Sequence, residues 1–514
     1  MKKEGYVIGI DSGTTQIKAV LFDMEGNEVC VSSVPTPVIQ LHYGWQENDL
    51  DVEWGVIQKT LKQLFEKSGV SNKDVKGVGI CGKAVGLVCV GEDGKVLRNG
   101  ILWNDARCAD DVVEKRKNGD LDRICQLTGN VLFAGDIGFL VPWLERNEPE
   151  VLEKTKWFCV NSNLITWHLT GEYGATAGDF FGEVDGTRGY NDEALKILGL
   201  DKYKDKFLPL HDSWEIAGYV TKEAAELTGL AEGTPVTGIN FDVKACTVGA
   251  GATEVGQANI TLGTSGAILV IRPEFTPGAQ GSQGISGVPN YWNHCIAPYN
   301  GTPNNDWFIN NFTYEDKERA KSEGRSVYTL FDEEIAKVHP GSDGVIYHPY
   351  ISAAGERQPF TNKNARANFF GCNLYTSRYK MLRALYEGVA FSNKHCLDAY
   401  PCEITDIRLS GAGTASPVWC QIFADITNRR ISLPSGTEFG AKGAAMMCAY
   451  AVGIFSTVKE ASDNFCQVER VYDPIPENVE IYKEVYEIYK SIPEKLEGPW
   501  EKRAEFLKKY NFEG

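Results

Sequence analysis

Two runs of apolar residues, at 7–10 and 17–22, flank a short polar stretch near the start of the chain. Runs of this length on either side of a turn predict the two strands of a β-hairpin. The turn between them consists of Asp11, Ser12, Gly13, Thr14 and Thr15. A glycine with neighbouring hydroxyl and amide donors can form a nest for phosphate oxygens, and a carboxylate at the strand end would lie beside a phosphate-bound Mg²⁺. An ordinary Asp-Gly turn is the alternative interpretation.

The same pattern recurs in the second half of the chain. Residues 257–271 contain a strand-like run that leads into Gly263-Thr264-Ser265-Gly266 and a second apolar run that follows it. Similar hairpins at the heads of two comparable halves suggest a duplicated fold with a nucleotide between the halves. A chain of 514 residues is also too long for one hydrophobic core, so we expect two domains.

Residues 77–82 read Gly-Val-Gly-Ile-Cys-Gly and match the G-x-G-x-x-G pattern. A dinucleotide site needs these glycines in a turn that follows a strand and opens a helix. Here they lie inside the predicted strand at 75–81, so we reject a dinucleotide site. Glycines inside a strand indicate that a ligand approaches the backbone closely. This interpretation puts Lys83, Ala84 and Val85 near a pocket.

Polar and aromatic residues follow at 101–107. Trp103 offers a flat face for a sugar ring or a carbon chain, and Asp105 and Arg107 offer polar groups for hydroxyls. A core tryptophan beside a surface ion pair is the alternative.

A carboxylate also lies where a predicted strand gives way to a predicted helix. The strand ends at Ile239, the helix starts around Asp242, and Val243 follows. Asp242 lies among apolar and small residues, where it would suit a general base that faces a substrate hydroxyl. A plain helix N-cap is the alternative.

The second half contains a further strand–loop–helix pattern. A strand at 407–410 runs into the small-residue loop 411–417, and a helix is predicted at 418–427. Such a loop suits adenosine and phosphate docking at a helix N-terminus. Another helix start at 301–308 includes Gly301 and Asn305, and a small-residue helix is predicted at 441–453.

Composition narrows the class of protein. A net charge of −17 argues against a general nucleic-acid or membrane-surface binder, because both need basic patches. The fourteen cysteines show no CxxC pair and no Cys/His cluster at metal spacing, as expected in a reducing cytoplasm. We see no signal peptide and no apolar run long enough to span a bilayer. We therefore expect a cytoplasmic protein.

In their order and over nearly the whole length, these motifs resemble the FGGY family of carbohydrate kinases, in the actin/hexokinase/Hsp70 fold superfamily. Gly355-Glu356-Arg357 with Pro359, and Tyr386-Glu387-Gly388, resemble that family's signature region. The resemblance implies an α/β fold with two RNase H-like (actin/hexokinase-type) domains and a central nucleotide/sugar cleft. Residues 1–250 would form the sugar-binding domain and residues 251–514 the ATP-binding domain.

The resemblance implies phosphoryl transfer from ATP, with Mg²⁺, to a hydroxyl of a small sugar or polyol, either a ketopentose of the xylulose type or a tetritol. Asp242 would be the catalytic base and Asp11 the metal-binding carboxylate. The residues implied to contact the substrate are Lys83, Ala84, Val85, Trp103, Asp105, Asp242 and Val243. The residues implied to bind ATP are Gly13, Thr14, Thr15, Lys18, Gly263, Thr264, Gly301, Asn305, Gly411, Ala412, Gly413 and Ser416. For Lys18, a simple surface lysine is an equal alternative.

The chain departs from the D-xylulose kinases of this family at positions that face the sugar. Those enzymes usually carry Gln-Met-His where this chain has Lys83-Ala84-Val85, and many members have Asn or Gln where it has Val243. The surroundings of Asp242 look more like those in L-xylulose-type and erythritol-type kinases. We therefore expect weak or no D-xylulose activity.

Two functions from other classes remain open at this point. A non-kinase ATPase switch of the chaperone or actin type would share both phosphate hairpins but would not need a base at Asp242. A silent sugar-binding regulator would have lost Asp11 or Asp242, and both are present. The only partner we expect is the small-molecule substrate, with neither nucleic acid nor membrane, and a homodimer is left open.

Overall fold

A computed structural model describes residues 4–176, 179–180, 184–263, 266–299 and 301–512. Helices and strands alternate along the chain, and two compact units share them. The first unit consists of Met1–Val255, Ile271–His294 and Ser435–Gln467. The second consists of Gly256–Val270, Cys295–Pro434 and Val468–Gly514. Each unit thus draws on more than one stretch of chain, and the single boundary after residue 250 stays a prediction.

The first half of the chain carries the elements that build most of the first unit. Its strands are β1 Tyr6–Ser12, β2 Gln16–Asp23, β3 Glu28–Pro35, β4 Glu47–Asn48, β5 Val75–Gly82, β6 Val88–Gly91, β7 Gly100–Ile101, β8 Thr155–Cys159, β9 Ala175–Thr176, β10 Leu210–His211, β11 Ile216–Tyr219 and β12 Pro235–Phe241. Its α-helices are α1 Leu50–Ser68, α2 Ala109–Lys117, α3 Asp120–Thr128, α4 Ile137–Asn147, α5 Pro149–Lys154, α6 Asn161–Thr170, α7 Asp192–Leu198, α8 Lys222–Thr228 and α9 Asp242–Gly249.

The remainder of the chain continues the alternation. Its strands are β13 Gln257–Leu262, β14 Gly266–Arg272, β15 Ser282–Ile285, β16 Trp292–Ile296, β17 Ile346–His348, β18 Asn368–Phe370, β19 Asp406–Ser410, β20 Ile431–Pro434 and β21 Val468–Tyr472. Its α-helices are α10 Pro303–Phe312, α11 Tyr314–Ser322, α12 Val327–Ile335, α13 Arg378–Leu397, α14 Pro417–Thr427, α15 Phe439–Ala451, α16 Val458–Phe465 and α17 Pro476–Tyr510. Among the residues described, no helix is both long and apolar enough to cross a bilayer.

The first unit is built on a six-stranded sheet with the order β11-β12-β5-β1-β2-β3. Strands β1 and β2 form the antiparallel hairpin that the apolar runs predict, and β5 runs parallel to both β1 and β12. Parallel strands end at the same edge of a sheet, and ligands bind in open α/β sheets beyond that edge. The register pairs Asp11 with Cys81 and Phe241 with Gly82. The segments that begin with Lys83 and Asp242 therefore start at the same edge as the first hairpin turn.

In the second unit, strands are hydrogen-bonded in the order β14-β13-β19-β20-β21. Strands β13 and β14 form the second antiparallel hairpin, and β19 runs parallel to β13 with Thr261 beside Ser410. Gly263 and Gly411 follow the carboxyl ends of these two parallel strands. The second unit thus repeats the hairpin-plus-parallel-strand arrangement of the first.

The glycines of strand β5 make room for a helix of the same unit. A Cβ atom on Gly79 would stand 2.0 Å from the Ala444 carbonyl oxygen, and one on Gly77 would stand 2.5 Å from the Cys448 sulfur. Both partners belong to helix α15. The interpretation that these glycines admit a ligand is therefore wrong. The prediction that the G-x-G-x-x-G pattern lies inside a strand is confirmed, because Gly77, Gly79 and Gly82 all belong to β5.

Replacing Gly79 with alanine should strongly destabilise the protein, because the new methyl group would meet a backbone carbonyl that is fixed within helix α15. We expect the free energy of unfolding to fall by about 3 kcal/mol or more, the upper range for an overpacked core. Denaturant unfolding of Gly79→Ala and wild type measures this.

Gly55→Ala is the matched control. Gly55 lies inside helix α1, and a Cβ there would meet nothing within 4 Å. The Gly55→Ala substitution should raise the free energy of unfolding by about 0.5–1 kcal/mol, the usual gain for alanine over glycine in a helix. Equal stability of the two variants would contradict the packing described.

Candidate active site

Asp242 lies at the start of helix α9, directly after strand β12. The N-cap position belongs to Phe241, and Asp242 is the first helical residue. Its Oδ1 accepts a hydrogen bond of 2.6 Å from the N–H of Val243. Asp242 is therefore not the N-cap residue, and that alternative is wrong. Asp242 is also partly exposed to solvent.

The pKa values of two carboxyl groups at this edge of the sheet are raised. The pKa of Asp242 is raised to about 7, mainly by loss of hydration and also by the negative charge of Asp11, while the Val243 N–H and Lys83 oppose the shift. Loss of hydration also raises the pKa of Asp11 to about 6, with Lys18 as the largest opposing influence. A carboxyl group with a pKa near 7 is well matched to general-base chemistry at neutral pH.

Helix α15 closes around Asp11. A Cβ on Gly440 would stand 2.8 Å from Asp11 Oδ2, so the helix backbone lies directly against the carboxylate. The thiol of Cys81 hydrogen-bonds to Asp11 and lowers its pKa. Lys18 Nζ lies 2.7 Å from Glu438 Oε2, and the Lys18 side chain is 30% exposed. Lys18 thus remains accessible to a phosphate but is paired with a carboxylate.

The first hairpin turn is tied to Trp103. Trp103 Nε1 donates to Thr14 Oγ1 over 3.2 Å, and the N–H of Thr36 donates to the Thr15 carbonyl over 3.0 Å. Trp103 is 44% exposed, and Phe133 meets it edge to face. The alternative of a core tryptophan beside a surface ion pair is therefore wrong, because Trp103 is exposed and the Asp105–Arg107 pair is buried.

The other residues predicted to contact substrate differ in exposure. Lys83, Ala84 and Val85 are all buried, whereas Val243 is partly exposed. Val85 has a φ of 65°, a left-handed conformation that is rare and strained for a β-branched residue. Such strain clusters at binding sites, which makes the 83–86 loop a candidate specificity element.

Asp105 makes a buried ion pair. Its carboxylate accepts hydrogen bonds from the Gln46 N–H at 2.7 Å and from Arg107 Nε at 2.9 Å and Nη2 at 2.9 Å. The Arg107 guanidinium packs against the rings of Trp45 and Trp143, 4.2 and 4.7 Å from their centroids. Both Asp105 oxygens are already engaged, so the described contacts give no support to a direct contact with substrate.

In the second unit, the predicted nucleotide residues surround the ends of β13 and β19. Gly411 has a φ of 95°, and a Cβ there would lie 2.6 Å from the Leu262 carbonyl oxygen. Gly413 contacts the side chain of the same leucine, and Ala412 is exposed. Ser416 caps helix α14, because its Oγ accepts from the Trp419 N–H over 3.1 Å.

The loop before helix α10 completes this group. The carbonyl of Gly263 accepts from the N–H of Thr302 over 2.8 Å, Gly301 is buried, and the Asn305 side-chain oxygen is buried with no hydrogen-bond partner among the residues described. A buried acceptor of this kind is a candidate ligand contact. Thr264 lies outside the described residues.

Within the described chain, no group of three or more His, Cys, Asp or Glu side chains is arranged to hold a metal ion. Mg²⁺ in kinases is held by one or two carboxylates together with substrate phosphates, so such a group is not required. The partly exposed Asp11 carboxylate fits that role.

Glu53 and Glu438 contact residues of the candidate site and were not predicted from the sequence. Glu53 lies on the buried face of helix α1, which also carries Leu50, Ile57 and Leu61 at helical spacing. Charged residues are rarely buried without a partner, so a glutamate on this apolar face is the sequence feature that could have predicted a buried ion pair. Glu438 lies more than 400 residues from Lys18 and Asp11, so local pattern gives no signal for it.

Models of known protein families match most of the chain. The model described as the FGGY family of carbohydrate kinases, N-terminal domain, matches residues 6–249, and the model for the C-terminal domain of that family matches residues 258–452.

Individual proteins resemble the chain over nearly its whole length. A probable L-xylulose kinase of Pasteurella multocida is 29% identical over 470 residues, 89% of this chain and 92% of that protein. A xylulose kinase of Bacillus subtilis is 28% identical over 507 residues, 94% and 95% of the two chains. The crystal structure of xylulose kinase from Rhodospirillum rubrum matches with a TM-score of 0.86 at 27% identity, covering 96% of this chain and 100% of that one. The predicted α/β fold of the actin/hexokinase type is confirmed.

The raised pKa of Asp242 predicts a pH-dependent effect on stability. The folded protein binds this proton more tightly than the unfolded chain, whose carboxyl group has the ordinary pKa of 3.8. The protonated Asp242 therefore makes its full contribution to the free energy of unfolding below about pH 4. That contribution is lost as the pH rises towards 7. Asparagine does not ionise, so the Asp242→Asn variant does not suffer this loss. The melting temperature of the variant minus that of wild type should therefore rise across this range and level off above pH 7.

Asp93→Asn is the control of opposite sign. A hydrogen bond from the Lys95 backbone lowers the pKa of Asp93, so this change should not stabilise the protein as the pH rises. Melting curves at several pH values compare the three proteins. An Asp242→Asn difference that is constant from pH 4 to 8 would contradict the raised pKa.

Proposed function

Because the chain belongs to the FGGY family of carbohydrate kinases, it is an ATP-dependent phosphotransferase with an alcohol acceptor, and we propose that its acceptor is a ketopentose of the xylulose type or a tetritol. The relatives named above support the ketopentose class, since they are called L-xylulose and xylulose kinases. The match to both family domains speaks against a chaperone- or actin-type ATPase switch. Mg²⁺ as cofactor and a cytoplasmic location remain predictions, and a homodimer is left open.

The observation that carries the mechanism is the partly exposed Asp242 carboxylate with a pKa of about 7. We propose that it accepts the proton of the sugar hydroxyl as that oxygen attacks the γ-phosphorus of ATP. The new O–P bond forms while the bond to the β-phosphate oxygen breaks, and ADP leaves. A positioned base contributes about 10²–10⁴-fold to such a step. The N–H of Val243 keeps the carboxylate oriented.

The hairpin at Gly13–Thr15 would bind phosphoryl oxygens through its backbone N–H groups, where charge develops during transfer. Asp11 would hold Mg²⁺, which when bound neutralises phosphate charge. Lys18 would exchange its partner Glu438 for a phosphate. In the second unit, the exposed Ala412 and the loop around it are proposed to contact the nucleotide, together with Gly411, Gly413 and Asn305.

Trp103 would supply an apolar platform for one face of the sugar, because much of its ring is exposed. Val243 and the loop around Val85 would provide apolar contacts rather than hydrogen bonds. Leaving a buried sugar hydroxyl without a hydrogen-bond partner costs about 1–3 kcal/mol of binding free energy. We therefore propose that D-xylulose, whose kinases usually have a histidine at the position of Val85, is a weak substrate.

A sugar-dependent ADP-release assay tests this function with a panel of ketopentoses, tetritols and hexoses. The wild type should release ADP rapidly with at least one ketopentose or tetritol. Asp242→Asn should fold normally and bind ATP with near-normal affinity, but its kcat should fall by about 10²–10⁴-fold because the base is lost.

Asp212→Asn is the matched control, because Asp212 also has a raised pKa but is paired with Arg188 and lies outside the proposed site. Its kcat should stay within about twofold of wild type, since it contacts none of the reacting groups. No stimulation of ADP release by any sugar, or an Asp242→Asn enzyme with more than about a tenth of wild-type kcat, would contradict the proposal, given the size of general-base effects.

Val85→His should increase activity on D-xylulose. Histidine tolerates the left-handed conformation better than valine and adds a hydrogen-bond donor. We expect kcat/KM for D-xylulose to rise by about ten- to a hundredfold, the value of one buried hydrogen bond.

Val85→Gly separates the two causes, because it relieves the backbone strain without adding a donor. It should leave the preference among sugars nearly unchanged. Parallel measurements of kcat/KM for both variants on D- and L-xylulose provide the comparison. An equal gain in both variants would mean that strain, and not the missing donor, limits D-xylulose use.

A further inference from the structure

Lys83 is buried directly beneath the first hairpin, and only 3% of its surface is exposed. Its ammonium group makes three contacts: 2.7 Å to Glu53 Oε1, 3.3 Å to the Gly13 carbonyl oxygen and 3.5 Å to Ser12 Oγ. An ammonium group has three hydrogens to donate. All three are therefore used within the protein, and Lys83 has no donor left for a sugar.

Glu53 is satisfied to the same degree. Its Oε1 accepts from Lys83 and, over 2.9 Å, from the Ser12 hydroxyl. Its Oε2 accepts from the side-chain amides of Asn48 and Asn161. A buried ion pair with such complete hydrogen bonding has one defined geometry. The pair also carries no net charge, so its effect on the hairpin comes from orientation rather than from attraction of an anion.

The contact with Gly13 fixes the orientation of a peptide unit. In a planar trans peptide, the C=O of Gly13 and the N–H of Thr14 point in opposite directions. We propose that Lys83 is a positioning residue: by holding the Gly13 carbonyl inward, it turns the Thr14 N–H outward as a donor to a phosphoryl group of ATP. This role rests on the proposed function, and it replaces the direct sugar contact predicted from the sequence.

Two further contacts hold the same turn. The N–H of Lys83 donates to the Ser12 carbonyl over 3.2 Å, and Trp103 Nε1 holds the Thr14 side chain. The peptide unit between Gly13 and Thr14 is thus fixed on both sides. A donor fixed before the reaction needs no reorganisation as charge develops, which is how oxyanion-type sites accelerate transfer.

The experiment compares Lys83→Met with the double variant Lys83→Met/Glu53→Gln. The single variant leaves the Glu53 carboxylate buried and unpaired, so it should lose stability. The double variant removes both charges and retains an acceptor for Ser12, so its melting temperature should return towards that of wild type. In neither variant is the Gly13 carbonyl held, so kcat in both should fall by about 10²-fold, as when one oxyanion donor is lost. The KM for the sugar should change little.

Lys206→Met is the matched control. The Lys206 ammonium group also holds backbone carbonyl oxygens, at Leu152 over 3.2 Å and at Thr155. Its loss should lower the melting temperature but leave kcat unchanged. A double variant that recovers both stability and kcat would show that Lys83 only stabilises the fold, and would overturn the proposal.

A crystal structure of the double variant tests the inference without turnover. We expect the peptide between Gly13 and Thr14 to rotate or to adopt more than one orientation. A Gly13 carbonyl that keeps its present direction would overturn the proposal. If the wild type phosphorylates no sugar, the proposed function fails, and this readout still decides the role of Lys83.

Discussion

The backbone of helix α15 lies directly against the sheet and the first helix turn that carry the candidate carboxylates, and the site depends on this contact. Cβ atoms on Gly9, Gly79 and Gly443 would each lie about 2 Å from a carbonyl oxygen across the seam, at 1.9, 2.0 and 2.0 Å. The start of the helix is fixed by Glu28, which accepts from the Thr437 N–H over 2.8 Å. Gly440 is thereby held against Asp11. At Gly9, Gly79 and Gly443, no side chain larger than hydrogen fits without a shift of the backbone.

This close packing has an electrostatic consequence. Protein atoms replace water around Asp11 and Asp242, and this loss of hydration raises the pKa values of both carboxyl groups. The negative charge of Glu438 adds to the shift at Asp11, and that of Asp11 adds to the shift at Asp242. A poorly hydrated carboxyl pair of this kind costs stability at neutral pH. Functional sites commonly retain such unfavourable groups because a base with a pKa near the working pH is the more effective catalyst. The neutral Lys83–Glu53 pair supports the neighbouring hairpin without adding net charge.

Local pattern in the sequence was sufficient for some of these features. Both hairpins follow from paired apolar runs, and helix α15 was predicted at 441–453 and lies at Phe439–Ala451. The role of Asp242 was inferred from its place between strand and helix and stays a prediction. The purpose of Gly77 and Gly79 was misread, because their partner helix is more than 350 residues away in the chain. The Lys83–Glu53 ion pair was not predicted for a similar reason. Helix α1 and the end of β5 come together only in the folded structure.

The pH dependence of kcat/KM for the best sugar, measured in wild type and Asp242→Asn, tests the central claim most directly, because kcat/KM reports ionisations of the free enzyme. The account predicts that wild-type kcat/KM rises with pH through one ionisation near the Asp242 pKa of about 7. The variant should be slow and should have lost that ionisation. The same ionisation in the variant, at an unchanged pKa, would assign the base to another group and contradict the account.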